Sequence, residues 1–147
     1  MNQTLQCINQ IHYISDRITT SILKHHPNIE INAGQMRIVS SLWDGEGISL
    51  VELASRNHLK KSTLSTMLPK LIEAGYITQN PDEKDLRAMK IYLTEKGKDL
   101  KAVHQNTSNE MEERLFANID LKDREVFLNI LEMLKYNLNS LEKEMQK

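Results

Sequence analysis

The sequence is poor in residues that interrupt helices and in residues that form disulfides. It has five glycines, three prolines, 5% aromatic residues and a single cysteine, Cys7. Few helix breakers favour a helix-rich globular chain. One cysteine excludes an internal disulfide framework and suits a reducing compartment. We therefore expect a mainly α-helical protein of the cytoplasm.

Long apolar runs and the common catalytic motifs are also missing. No run of about 18 apolar residues occurs, and the N-terminal MNQTLQCINQ lacks the features of a signal peptide, so no membrane association is expected. The five histidines are scattered, and no Cys/His/Asp cluster has metal-ligand spacing. Nucleophile elbows, phosphate-binding glycine loops and paired-carboxylate motifs are absent. The sequence predicts neither an enzyme nor a metal or cofactor site.

The charge is nearly balanced overall but unevenly distributed. The net charge is −1, yet residues 56–98 carry nine basic and five acidic side chains, and the last forty residues are more acidic than basic. A basic middle between acidic ends is typical of a module that binds a polyanion. Ordinary surface charge explains the same pattern equally well on this observation alone.

Helical periodicity predicts long helices at both ends of the chain. The first covers residues 4–25, and two more cover residues 95–116 and 120–145. The last carries a seam of apolar residues at steps of three and four: Phe127, Leu131, Leu134, Leu138, Leu141 and Met145. Such a seam requires a partner surface. Packing within the subunit is one interpretation, and dimerisation through the outer helices is the favoured one.

The middle of the chain predicts two short helices followed by a small hairpin. A helix from Ala33 to Trp43 with a capping box at Asn32 precedes them. In order, the elements that follow are a helix from Ser49 to Arg56 with a second capping box at Glu52, a helix from Lys61 to Ala74 closed by Gly75, and strands at residues 76–78 and 89–93. This order describes a winged helix-turn-helix.

The helix that starts at Lys61 carries the strongest functional pattern. Leu64, Leu68 and Leu71 form a stripe for the core. The other side presents short hydroxyl side chains, suited to base edges and phosphates, and nearby cations: Ser62, Thr63, Ser65, Thr66, Lys60, Lys61 and Lys70. This pattern predicts a DNA-reading helix, with a hydroxyl-rich solvent face as the alternative.

Several ordered motifs make residues 42–98 resemble the multiple-antibiotic-resistance repressor (MarR) family of winged-helix regulators. They are ISLVELA (48–54), KSTLS (61–65), LIEAGYI (71–77), DLR (85–87) and IYLTEKG (91–97). The resemblance implies one domain over residues 1–147, with the helix-turn-helix and wing at 32–97 and a helical dimerisation region at 1–25 and 98–147. It also implies a homodimeric transcription regulator on a pseudo-palindromic operator, acting as a repressor released by a small molecule or an oxidant. The alternative is a winged-helix module that binds only protein.

The resemblance also assigns roles in DNA binding. Residues 62–66 would face the major groove, Arg87 would reach the minor groove from the wing tip, and Asp85 would order the wing beside Lys84. A surface ion pair between Asp85 and Arg87 is the alternative. Pro69 departs from the family pattern, and because an interior proline removes a helical hydrogen bond we expect a kink or loosening over residues 66–70.

Two features concern control of the protein. A branch of the family, the organic-hydroperoxide and thiol-based regulators, uses a single cysteine on the first helix as a redox sensor, and Cys7 has that position. The tyrosines that the sensors place near the second helix are missing from residues 31–36, so the favoured interpretation of Cys7 is a buried structural residue, with redox sensing as the alternative. Small aromatic or anionic effectors are the other expectation, with the methionines as either cleft-lining or core residues.

Overall fold

A computed structural model describes residues 3–145 of the chain. Within these residues there are six helices and three strands. They are α1 (Gln3–Lys24), α2 (Ala33–Ser40), β1 (Ile48–Ser49), α3 (Leu50–Arg56), α4 (Lys61–Glu73), β2 (Ile77–Pro81), β3 (Met89–Leu93), α5 (Glu95–Leu115) and α6 (Leu121–Met145). The described residues form two compact units, residues 3–111 and residues 112–145, with the division near the end of α5. The mainly α-helical prediction is confirmed.

The first unit contains the predicted helix-turn-helix and hairpin. The three strands form an antiparallel sheet in the order β1-β3-β2, in which Ile48 pairs with Ile91 and Ile77 with Leu93. α3 packs on α4, and both helices contact the sheet. The largest fully buried side chains hold these elements together: Leu23, Met36, Ile38, Leu42, Leu53, Leu64, Leu71, Tyr76, Ile77 and Ile91. Burial of this apolar surface fixes α4 against the wing.

Local capping explains where several helices begin and end. The side chain of Asn32 accepts the N–H of Gln35, and the side chain of Gln35 accepts the N–H of Asn32, so the predicted capping box is formed. Gly75 has φ of +76°. Its N–H bonds to Ile72 O and the N–H of Tyr76 bonds to Leu71 O, the double closure that favours glycine after a helix.

Three sequence expectations about these elements need correction, and one short strand was not expected. α2 ends at Ser40 rather than Trp43, because successive tight turns carry residues 41–44 into the Asp44-Gly45 break. The second capping box is half formed, since Glu52 pairs with Arg56 instead of returning to Ser49. β2 extends to Pro81, and β1 was not predicted because two residues show no periodicity.

The second unit consists of the end of α5 and all of α6. Phe116 packs edge-on against Phe127 at 5.9 Å between ring centroids, and Arg124 lies over Phe116 and donates to its carbonyl oxygen. No described residue of α6 is buried. The predicted seam is between 36% and 79% exposed from Phe127 to Met145. Phe127 packs on Phe116 inside this unit, and the partner surface of the rest of the seam stays a prediction.

Among residues 3–145, none of the helices combines the length and the apolar character needed to cross a bilayer.

Candidate nucleic-acid interface

α4 presents a polar face because its apolar face is anchored in the core. Leu64, Leu68 and Leu71 are buried at helical spacing. The hydroxyl side chains predicted to read DNA all lie on the exposed side: Ser62, Thr63, Ser65 and Thr66. The buried leucines therefore orient the helix, and its exposed face carries short side chains that can donate and accept hydrogen bonds.

The four hydroxyl groups are not equivalent. Thr66 Oγ1 donates to the carbonyl oxygen of Thr63 at 2.7 Å, so its proton is used inside the helix. Within residues 3–145, the hydroxyls of Ser62, Thr63 and Ser65 make no hydrogen bond. Three of the four groups are thus available both to donate and to accept, whereas Thr66 retains only its acceptor.

The first turn of α4 has no side-chain cap. Lys60 occupies the N-cap position and makes no capping hydrogen bond, and the first helical bond runs from Leu64 N–H to Lys60 O. The N–H groups of residues 61–63 therefore have no intrahelical acceptor. Together with the exposed ammonium groups of Lys60 and Lys61, they give this end of α4 a positive potential suited to a phosphate.

Pro69 does not interrupt α4. The helix is continuous from Lys61 to Glu73, so the expected early loosening over residues 66–70 is wrong. Pro69 and Ser65 are both exposed. The carbonyl oxygen of Ser65 loses its helical donor at this proline, and on the solvent side of α4 water can take the place of that donor, which would lower the cost of the missing bond.

Replacing Pro69 with alanine should stabilise the protein. Alanine restores the N–H that pairs with Ser65 O and has the highest helix propensity, a gain of up to about 3 kcal/mol that the less restricted unfolded chain reduces. Urea denaturation of both proteins measures the difference in unfolding free energy. An equal or lower stability of the variant would mean that α4 is adapted to the proline.

The wing turn, which is the turn between β2 and β3 at residues 82–88, presents Arg87 through an ordered backbone. Asp85 Oδ1 accepts the N–H of Arg87 at 3.0 Å, and Asp85 O accepts the N–H of Ala88 at 2.8 Å. The Arg87 guanidinium is exposed and forms no ion pair in the described chain, with Asp85 or with any other carboxylate. The alternative of a surface ion pair is therefore wrong. Leu86, between these residues, is 77% exposed at the tip of the turn.

Internal contacts divide the nine cations of residues 56–98 into two groups. Arg56 is bonded to Ser41 O, Gly45 O and Glu52, and Lys96 to Ala74 O and the Tyr76 ring. Lys90 and Lys98 pair with carboxylates. In the part of the chain that the structure describes, the side chains of the remaining five form no hydrogen bond or ion pair: Lys60, Lys61, Lys70, Lys84 and Arg87.

These five cations are the ones predicted to contact DNA, and all are exposed. They belong to α4 and the wing, which both lie in the first unit. The sequence did not single out Asp82, whose carboxylate pairs with Lys90 at 3.0 Å. No local pattern could reveal this pair, because it depends on the register that places Asn80 opposite Lys90.

The features expected to control the protein lie elsewhere in the first unit. Cys7 is exposed on α1, so its interpretation as a buried structural residue is wrong, and the sensor role stays a prediction.

An open cavity of about 1040 Å³ lies between α1 and the start of α2, lined by Tyr13, Ile14, Arg17, Thr20, Lys24 and Asn32 among others. Met36 is in the core. Residues 3–145 contain no cluster of three potential metal ligands.

Comparison with known proteins identifies similar chains. The model of the MarR family matches residues 31–89. The HTH-type transcriptional regulator TtmR of Methylorubrum extorquens is 36% identical over 85 residues, which are 58% of this chain and 42% of TtmR. A MarR transcriptional regulator of Methanosarcina mazei is 26% identical with a TM-score of 0.81, covering 95% of this chain and 99% of its own. Streptococcus pneumoniae FabT, solved in complex with DNA, has a TM-score of 0.79 at 19% identity over 95% of this chain and 98% of FabT.

Proposed function

We propose that this chain is a regulator of the MarR type, whose family model matches residues 31–89, and that it is a sequence-specific duplex-DNA-binding transcription regulator. It acts as a repressor in the cytoplasm, not as an enzyme. The observation that carries the proposal is the set of five exposed cations on α4 and the wing whose side chains form no hydrogen bond or ion pair among the described residues. Exposed cations without internal partners release condensed counterions when they meet phosphates.

In this proposal α4 and the wing have separate tasks. α4 enters the major groove with Ser62, Thr63 and Ser65 toward base edges, while Thr66 accepts a hydrogen bond. Lys60, Lys61 and the uncapped helix start hold the phosphate backbone. Lys84 and Arg87 extend the contact along the wing, where an arginine is attracted by the negative potential of a narrow A·T-rich minor groove.

Dimerisation follows from the apolar surface that single chains leave exposed. Five apolar residues of α1 are between 40% and 49% exposed: Leu5, Ile8, Ile11, Ile14 and Ile18. The seam of α6 is exposed as well. Patches of this kind mark interfaces. We assign residues 1–25 and 98–147 to the dimer interface and residues 32–97 to DNA binding, so a two-fold dimer would read a pseudo-palindromic site with half-sites about one helical turn apart.

The proposal is tested by titrating promoter DNA from beside its own gene with the full-length protein. Binding should be specific over random duplex, and the affinity should fall by a factor of about 10³ or more between 50 and 200 mM salt. The triple variant Lys60→Ala, Lys61→Ala, Lys70→Ala should flatten this salt dependence. Weak or salt-independent binding would contradict the proposal and favour the protein-interaction alternative.

A further inference from the structure

Asp82 makes more contacts than any other carboxylate described for the wing. It follows the last residue of β2, and its backbone N–H donates to Ala88 O at 2.8 Å. Its side chain accepts the N–H of Lys84 at 2.9 Å and pairs with Lys90 Nζ at 3.0 Å. The side chain is only 18% exposed. Asp82 thus ties the start of the wing turn both to its middle and to the returning strand.

A continuous path of hydrogen bonds links Asp82 to the residue that presents Arg87. Asp82 N–H bonds to Ala88 O, Ala88 N–H bonds to Asp85 O, and the Asp85 carboxylate accepts the N–H of Arg87. These bonds fix the backbone on both sides of Arg87. Because the exposed Arg87 side chain has no internal partner among the described residues, the turn alone determines where it projects.

The charge of Asp82 is at odds with a DNA-facing surface. A carboxylate there repels phosphates and lowers affinity. The N–H of Lys84 and the ammonium group of Lys90 hold the pKa of Asp82 below its usual range, and Asp82 in turn raises the pKa of Lys90. Both groups are therefore charged at neutral pH. The pair also leaves Lys90 unavailable to DNA. Asp82 can therefore favour DNA binding only by ordering the wing turn.

We propose that Asp82, through its pair with Lys90, is a positioning residue that fixes the wing turn so that Arg87 reaches the DNA. This role rests on the proposed function. It assigns opposite effects to two neighbouring carboxylates, because Glu83 is exposed and forms no hydrogen bond or ion pair in the described residues. Glu83 repels DNA, whereas Asp82 repels it but orders the turn.

The test compares Asp82→Ala with Glu83→Ala, which each remove one negative charge from the same turn. Affinity for the operator should rise slightly in Glu83→Ala and fall about three- to tenfold in Asp82→Ala. In the free protein, amide hydrogen exchange at Lys84 and Ala88 should be faster in Asp82→Ala only. Tighter DNA binding by both variants, or unchanged exchange, would overturn the positioning role.

The same substitution made in a protein that already carries Arg87→Ala separates a positioning role from general support of the fold. With Arg87→Ala already present, Asp82→Ala should no longer weaken binding at low salt, because there is no arginine left to position. An equal loss in both backgrounds would overturn the proposal. If the wild-type protein does not bind duplex DNA at all, the proposed function itself is overturned. The wild-type titration alone shows this, so the two failures are distinguishable.

Discussion

Arg87→Ala is expected to lower the affinity for operator DNA by about five- to 150-fold while the fold remains intact, since a specific arginine contact is worth about 1–3 kcal/mol. The guanidinium makes no hydrogen bond or ion pair among residues 3–145. The bonds that shape the turn use only the backbone N–H of Arg87, which alanine keeps. The loss should therefore appear in DNA binding and not in stability.

Fluorescence anisotropy over a range of salt concentrations measures this effect. The slope of log K against log[salt] should become shallower by about one unit for one lost phosphate-like contact. Arg87→Lys keeps the charge but loses the planar fork, so it should restore the slope without restoring the full affinity. Lys101→Ala removes an exposed cation from α5 and serves as the control.

Two outcomes would contradict the wing assignment. Unchanged affinity of Arg87→Ala would mean that the wing does not reach the duplex. An equal loss in Lys101→Ala would mean that net charge, and not the position of Arg87, governs binding. Circular dichroism and thermal denaturation of each variant exclude the remaining cause, which is partial unfolding.

Much of this fold was predictable because its signals are local. The capping box at Asn32 and the glycine closure at Gly75 each lie within a few residues, and both were predicted and formed. The leucine stripe of α4 is local in the same sense, and it fixed the exposed face of that helix. Where one periodic pattern or one cap determines an element, the sequence alone suffices.

The errors arose where distant residues decide the structure. Trp43 has helical periodicity, yet it lies beyond α2 and its indole N–H donates to Gly97 O, 54 positions away. The sequence motifs selected five of the nine cations of residues 56–98 for DNA, but they did not show what the other four do. The fold shows that long-range contacts hold these four: Arg56, Lys90, Lys96 and Lys98.

Gly97→Ala is expected to destabilise the protein by about 3 kcal/mol or more, the cost of a buried overlap that the surroundings cannot relieve. Gly97 is buried in the first turn of α5. A Cβ at this position would overlap the carbonyl oxygen of Tyr76 and would lie 3.0 Å from Leu93 Cδ2. Since the main obstacle is backbone, no side-chain rotation can remove it.

The obstacle lies in a segment that cannot move independently. Tyr76 O accepts the N–H of Thr94, and Thr94 Oγ1 donates to Gly75 O and accepts the N–H of Gly97. These bonds join the segment that follows α4 to Thr94, which lies between β3 and α5. Displacing them would disturb both DNA-binding elements, so Gly97→Ala should lose operator affinity together with stability, unlike Arg87→Ala.

Gly34→Ala provides the matched control for this prediction. Gly34 lies in the first turn of α2, and a Cβ there would make contacts of 3.4 Å or longer. Because alanine is the better helix former, this variant should be stabilised by up to about 1 kcal/mol. At about 2–4 °C per kcal/mol for a chain of this size, thermal denaturation should separate the two variants clearly. If Gly97→Ala unfolds at the same temperature as the wild type, α5 does not approach the Gly75–Tyr76 backbone as closely as described.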